Sequence, residues 1–295
     1  MPDTTTRPRL AKVEVVANLA SGGVGADARE ELERILGEAG ISPNIRLPEP
    51  GGLVDSLRAG LDTGPDLLIV LAGDGTARAA AELAGPDGPL IAPLAGGTMN
   101  MLPHAVYGRR PWQEALRELL EDGVERDIGG GCIGGHRFLC AAILGSPARL
   151  GAAREAAREG DIAGAVQKAR KAFQRAFTGR LRYSIDGGPR AKAEALVLMC
   201  PIASKIMNDE APALEAAALN PRGAGEVVRL GINAIVRDWR VDPAVENQPC
   251  RRARIWGAHA IPALLDGEST MLPPASEVYF DPRICRVLAL PVEER

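Results

Sequence analysis

The sequence predicts an α/β domain on a parallel sheet, followed by a second domain rich in antiparallel β-structure. Three observations predict it. Short apolar runs alternate with amphipathic helical runs through PWQEALRELLEDG, the rhythm of a parallel sheet with helices on its faces. Three of those apolar runs end in glycine-rich knots. Near residue 127 the rhythm stops, and DIGGGCIGGHRFLCAAILG opens a glycine-rich, strand-like region.

The elements follow in order. MPDTTTRPRL reads as a tail, and KVEVVANLA as a buried strand. ADAREELERILGEAG has apolar residues at helical spacing and a stop at Gly40. A short strand is expected at 43–47, a helix at 52–61, a strand at 66–72, a helix at 76–84 and a strand at 89–93. TMNMLPHAVYG is helix-like, and PWQEALRELLEDG carries Pro111 at a first-turn position. Beyond the boundary, placed at 127–130, a helical stretch is expected over 150–178. LRYSIDGGPRAKAEALVLMC reads as a hairpin around Asp186-Gly187-Gly188, and AGEVVRLGINAIVRDW as a helix. RRARIWGAHA, EVYF and RICRVLALP read as later, separate strands.

Composition narrows the function. A net charge of −3 argues against a nucleic-acid binder that works by bulk positive charge, so no nucleic-acid partner is expected. The basic run KARKAFQRAFTGRLR at 168–182 reads as a solvated helix face. With aromatics at 3%, the core must be aliphatic. The five cysteines are odd in number, lack CxxC spacing and sit in apolar runs, which suits buried thiols in a reducing compartment. The three histidines show no metal-ligand spacing. No apolar run reaches the ~20 residues of a spanning helix, and the first ten residues hold no signal core. The expected location is cytoplasmic.

The knots carry the chemistry. They are Asn18-Leu19-Ala20-Ser21-Gly22-Gly23, Gly73-Asp74-Gly75-Thr76 and Gly96-Gly97-Thr98-Met99-Asn100. In a parallel sheet the carboxyl ends of the strands share one edge, so the knots should converge there. Glycines let backbone N–H groups approach phosphate oxygens, and helices beginning at the knots point positive dipole ends the same way. Ser21, Thr76 and Thr98 add hydroxyl donors. Asp74 is expected at an exposed strand-to-helix knot. A rival pattern overlaps the first knot: Gly23-Val24-Gly25-Ala26-Asp27-Ala28 fits the dinucleotide fingerprint G-x-G-x-x-A, with Arg46 near the place of the ribose-binding residue. That pattern leaves the GDGT sequence unexplained.

The set Asn18…Ser21-Gly22, Gly73-Asp74-Gly75-Thr76 and Pro93…Gly97-Thr98-Met99-Asn100 resembles the catalytic domain of the diacylglycerol kinase family, related to sphingosine and ceramide kinases. VERDIGG, RFLCAAILG and Asp266-Gly267-Glu268 extend the likeness along nearly the whole chain. NAD kinases share the GDGT-type fold. The resemblance implies a nucleotide-binding α/β domain at 1–127 and 283–295, with a final strand near 284–290 returning to it. It implies a β-sandwich lipid domain at 128–282 and an active site in the cleft between them. The implied cofactors are ATP and Mg2+, held at Asn18, Ser21, Gly22, Gly23, Gly73, Asp74, Gly75, Thr76, Gly97, Thr98 and Asn100. Glu268 matches the general base, and Asp74 is a second catalytic candidate that could hold the metal or accept N–H bonds within its turn. The implied partner is a lipid hydroxyl at the inner membrane surface, reached peripherally; a homodimer is left open.

The chain departs from the family pattern at Leu19, Ala72, Arg78, Ala79 and Met101, and the 208–222 stretch lacks the family's Asp-Asp-Gly run. An NAD kinase-like enzyme and a non-catalytic nucleotide- or lipid-binding protein are the alternatives.

Overall fold

The structure, a computed structural model, describes residues 8–49, 51–149, 181–204, 213–220 and 245–291. The helices expected over 150–178 and 224–239, most of the basic segment 168–182 and most of the N-terminal tail lie outside the described residues. The chain divides into two compact units, Met1–Gly129 with Pro282–Arg295, and Gly130–Asp281.

The first unit alternates strand and helix. Its elements are β1 (Val13–Ala17), α1 (Ala28–Glu38), β2 (Asn44–Arg46), α2 (Leu53–Leu61), β3 (Leu67–Ala72), α3 (Asp74–Ala84), β4 (Leu90–Ala95), α4 (Met101–Tyr107), α5 (Trp112–Asp122) and the start of β5 (Val124–Ile133). The strands pair in parallel in the order β2-β1-β3-β4. The last strand of the chain, Ala275–Ala289, adds its C-terminal part parallel to β4, with Val287 opposite Ile91. All six residues of β3 are buried, as a strand covered on both faces requires. Each fully buried Leu, Ile or Val there contributes about 1.5–3 kcal/mol of transfer free energy. Helix α1 turns Ala28, Leu32, Ile35 and Leu36 inward, and α5 turns Trp112, Ala115, Leu116, Leu119 and Leu120 inward, each a single helical stripe.

Three local readings change. Helix α3 begins at Asp74 rather than 76, with Gly73 extended at the N-cap (φ −79°, ψ 170°). The GDGT sequence is therefore the first turn of a helix, and Asp74 sits where an acidic side chain suits the dipole. Pro111 is the N-cap of α5, one position before the first turn. Arg46 is committed elsewhere: its Nε donates to Glu14 Oε2 at 2.9 Å, and Asn44 and Thr63 donate to the same buried carboxylate. That pairing removes the support Arg46 gave to the dinucleotide reading.

The second unit is a sandwich of two sheets. After the end of β5 come β6 (His136–Phe138), β7 (Ala141–Gly145), β8 (Leu181–Ile185), β9 (Ala191–Ala193), β10 (Ala195–Met199), β11 (Leu214–Leu219), β12 (Val245–Cys250), β13 (Arg252–Trp256), β14 (Ile261–Leu265), β15 (Glu268–Leu272) and β16 (Ala275–Ala289). One sheet is antiparallel in the order β12-β11-β10-β7-β14-β15. In the other, β16 pairs with β13, β13 with β8 and β8 with β9, all antiparallel. Both sheets feed one aliphatic core: Leu144, Leu196, Leu198 and Leu214 from the first, Leu181, Tyr183, Ile255 and Val278 from the second. The fold class expected from the sequence is the one observed.

The hairpin around Asp186 is present as β8 and β9, but β10 leaves it for the other sheet. The two final strands are one strand, β16, running through Asp281 and Pro282.

Candidate active site

Strand β1 ends where Asn18 donates its N–H to Leu71 O at 2.9 Å, the last rung toward β3. The chain then folds on itself. Asn18 Oδ1 accepts from Ala20 N at 3.1 Å, Asn18 O accepts from Ser21 N at 3.0 Å, and Ser21 O accepts from Val24 N at 3.0 Å. This carries Gly23 over to the third knot, where its N–H donates to Gly96 O at 3.0 Å.

Gly96 N in turn donates to Ala72 O at 3.1 Å, tying the third knot to the end of β3. The approach is close enough to demand glycine. A Cβ on Gly96 would lie 2.7 Å from Val24 Cγ2, and one on Gly97 would lie 2.7 Å from Gly73 Cα. The three knots are thus one cluster at the carboxyl edge of the sheet, as the parallel topology predicts. A Cβ on Gly22, by contrast, would meet nothing within 4 Å. That exposed stretch of backbone is open to a ligand.

The side chains of the cluster divide by role. Thr98 is exposed, and Ser21 and Thr76 are half-buried. Asn100 is in the left-handed region (φ 52°, ψ 45°) and closes its own loop: Oδ1 accepts from Gly97 N at 2.7 Å, and Nδ2 donates to Gly97 O at 2.9 Å. Asp74 is half-buried, not exposed as the sequence suggests, because α4 covers it. Its Oδ1 accepts from Leu102 N at 3.3 Å. Burial pushes the Asp74 carboxyl above its ordinary 3.8, while the amides of Leu102, Met101 and Asn100 and the nearby His104 pull it partway back. A cavity of about 350 Å³ borders the cluster, lined among others by Gly23, Gly25, Asn100, His104, Arg110 and Gln113.

Glu268 belongs to the second unit. It is the exposed first residue of β15, directly after the two-residue turn Asp266-Gly267. Both turn residues have positive φ (46° and 89°), the type I′ geometry that Asp-Gly favours. Asp266 does more than form the turn. It is 5% exposed, and its carboxylate accepts from the backbone N–H groups of Leu139, Cys140 and Ala141 at 2.7, 2.8 and 2.9 Å. The Asp-Gly pair signals the turn; nothing in the sequence signals which distant amides the carboxylate collects.

The donor set fits phosphate. Open glycine backbone, hydroxyls at Ser21 and Thr98 and the start of α3 suit phosphoryl oxygens. Among the described residues no group of three His, Cys, Asp or Glu side chains could hold a metal ion. A Mg2+ ion bound together with phosphates would keep much of its water, as that ion commonly does in kinases.

Residues 12–129 match the family model of the diacylglycerol kinase catalytic domain. The chain's backbone is similar along almost its whole length to solved structures from Bacillus anthracis. One is a diacylglycerol kinase with 14% identity and a TM-score of 0.69, the match covering 97% of this chain and 99% of that one. Two further structures from that organism are each described as a putative diacylglycerol kinase. One has 16% identity, a TM-score of 0.73 and coverage of 97% and 99%. The other has 16% identity, a TM-score of 0.71 and coverage of 96% and 98%. At such identities these structures establish likeness of fold. No curated protein matches the sequence.

Proposed function

We propose that the protein is an ATP-dependent lipid kinase that phosphorylates a hydroxyl of a membrane lipid, diacylglycerol or a sphingoid base or ceramide. The observation that carries this reading is the convergence of the three glycine loops, pinned by Gly23 N to Gly96 O, with open backbone at Gly22. The loops would hold the phosphates of ATP through Ser21, Gly22, Gly75, Thr76 and Thr98, with Gly23 and Gly97 shaping the cluster through their own hydrogen bonds. Bound with ATP, Mg2+ would offset the charge of the phosphate oxygens.

The remaining chemistry is proton removal. A lipid alcohol must lose its proton as it attacks the γ-phosphoryl group, and a carboxylate is a suitable acceptor. Glu268 is our candidate, since it is exposed at the end of a rigid hairpin whose turn is anchored by Asp266. The alcohol O–H bond breaks, the new O–P bond forms and ADP leaves. No helix among the described residues is long and apolar enough to cross a membrane. The reading has a cytoplasmic protein take its substrate from the inner membrane surface by peripheral contact.

The test is transfer of label from [γ-32P]ATP to a panel of dispersed lipids by the purified protein. Label in the organic phase, dependent on one lipid class, is expected. Label that enters only NADP+ when NAD+ is supplied would favour an NAD kinase. ATP binding with no transfer to any acceptor would favour a non-catalytic binding protein.

A further inference from the structure

Asp74 offers three roles on paper: metal ligand, proton acceptor or structural acceptor. The geometry separates them. Its carboxylate, on the first residue of α3, reaches across to the first turn of α4, where Leu102 N donates to Oδ1 at 3.3 Å. The first amides of α4 have no intrahelical partner. The residue at its N-cap cannot serve them, because Asn100 has turned its side chain back onto Gly97. Asp74 therefore supplies the cap from a different helix.

We propose that Asp74 is a positioning residue whose carboxylate caps α4 and so holds the Gly97–Asn100 loop in its phosphate-facing conformation. The lever is short. Asn100 is both the N-cap of α4 and the clasp of that loop, and the loop lies against Gly73, the residue before Asp74. Anything that lets the start of α4 fray frees Asn100 from its left-handed conformation and releases Thr98. Asp74 acts through backbone it caps, without touching the phosphates. The link to phosphate rests on the function proposed above; the capping does not.

The test compares Asp74→Asn with Asp74→Ala in the full chain. Asparagine keeps an acceptor oxygen for Leu102 N but loses the charge a metal ligand or base needs. Hydrogen exchange across 97–104 without nucleotide reads the cap, and MgATP affinity reads its consequence. Asp74→Asn should keep wild-type exchange and MgATP affinity, whereas Asp74→Ala should exchange about fivefold faster over this segment, the effect of a lost cap, and bind MgATP more weakly. Unchanged exchange in Asp74→Ala overturns the proposal, and so does loss of MgATP affinity in Asp74→Asn with exchange still protected. If no form binds MgATP, the function proposed above fails, and the exchange comparison still decides the capping. If Asp74→Ala does not fold, Asp74→Ser, too short to reach Leu102 N, takes its place.

Discussion

The N–H of Gly23 donates to the carbonyl oxygen of Gly96 at 3.0 Å, joining the turn after β1 to the turn after β4. These strands are not neighbours; β3 lies between them. The first turn therefore passes over the end of β3, and the three glycine knots share one small volume.

That packing makes the glycines unequal. Gly97→Ala would place a methyl group 2.7 Å from Gly73 Cα, backbone against backbone. Thermal or denaturant unfolding should show a loss of about 1–3 kcal/mol, the usual result of overpacking. Gly22→Ala meets nothing within 4 Å and should stay within about 0.5 kcal/mol of wild type. Equal losses at the two sites would contradict the close approach of the second and third knots.

The Asp74 carboxyl makes stability depend on pH in a direction opposite to most acids. Burial raises its folded value above the ordinary 3.8, so the fold favours the protonated form. That contribution is fully present below 3.8 and is lost as pH rises through the raised value. Asp74→Asn cannot ionise. Its melting temperature relative to wild type should therefore climb as pH is raised from below 3.8 toward neutrality. A difference that stays flat, or falls, contradicts burial as the dominant influence.

The same residues show what the sequence revealed and what it hid. The order of strands and helices in the first unit was legible because each buried strand is a continuous aliphatic run, such as LLIVLA, and each helix carries a clean stripe. The convergence of the knots followed from the parallel topology. The start of α3 was hidden because Asp and Gly are poor helix formers whose first-turn role is electrostatic. Strand β11, LEAAAL, is made of good helix formers and is a strand only because β10 and β12 pair with it on either side. Strand β12 carries Pro249 and is largely exposed, as an edge strand allows. The partners of Asp74 and Asp266 lie 28 and more than 100 residues away, beyond any local pattern.

Two Asp-Gly turns in the second unit allow a matched comparison. Asp266 is buried and accepts from three backbone N–H groups. Asp186 is exposed and accepts from those of Arg251 and Arg252, the latter at 2.7 Å. Asp266→Ala orphans the buried amides of Leu139 and Cys140 and the part-buried amide of Ala141, and should cost about 3 kcal/mol or more, at ~1–3 kcal/mol each. Asp186→Ala leaves its amides to solvent and should cost about 1 kcal/mol. Urea titration of both variants distinguishes them; similar costs would contradict the anchoring role of Asp266.

All five cysteines are buried thiols outside any disulfide. Burial pushes the Cys250 and Cys285 thiols up to about 12 and Cys200 well above its ordinary value, so these are protonated and unreactive at neutral pH. Native protein should react only slowly with a thiol-specific chromophore at pH 8, and unfolded protein should react at all five. Rapid labelling of the native protein would mean that the two units open far more readily than their packed cores allow.

The most direct measurement is the rate of phosphoryl transfer from saturating MgATP to the lipid that the panel identifies, in wild type and in Glu268→Gln. Glutamine keeps the shape of the side chain and removes its basicity. The account predicts transfer to the lipid by wild type, a fall of about 10²–10⁴-fold in the variant, and unchanged ATP affinity, since the loops proposed to hold ATP are in the other unit. No transfer by wild type to any lipid hydroxyl would contradict the kinase assignment, and full turnover by Glu268→Gln would remove Glu268 as its base.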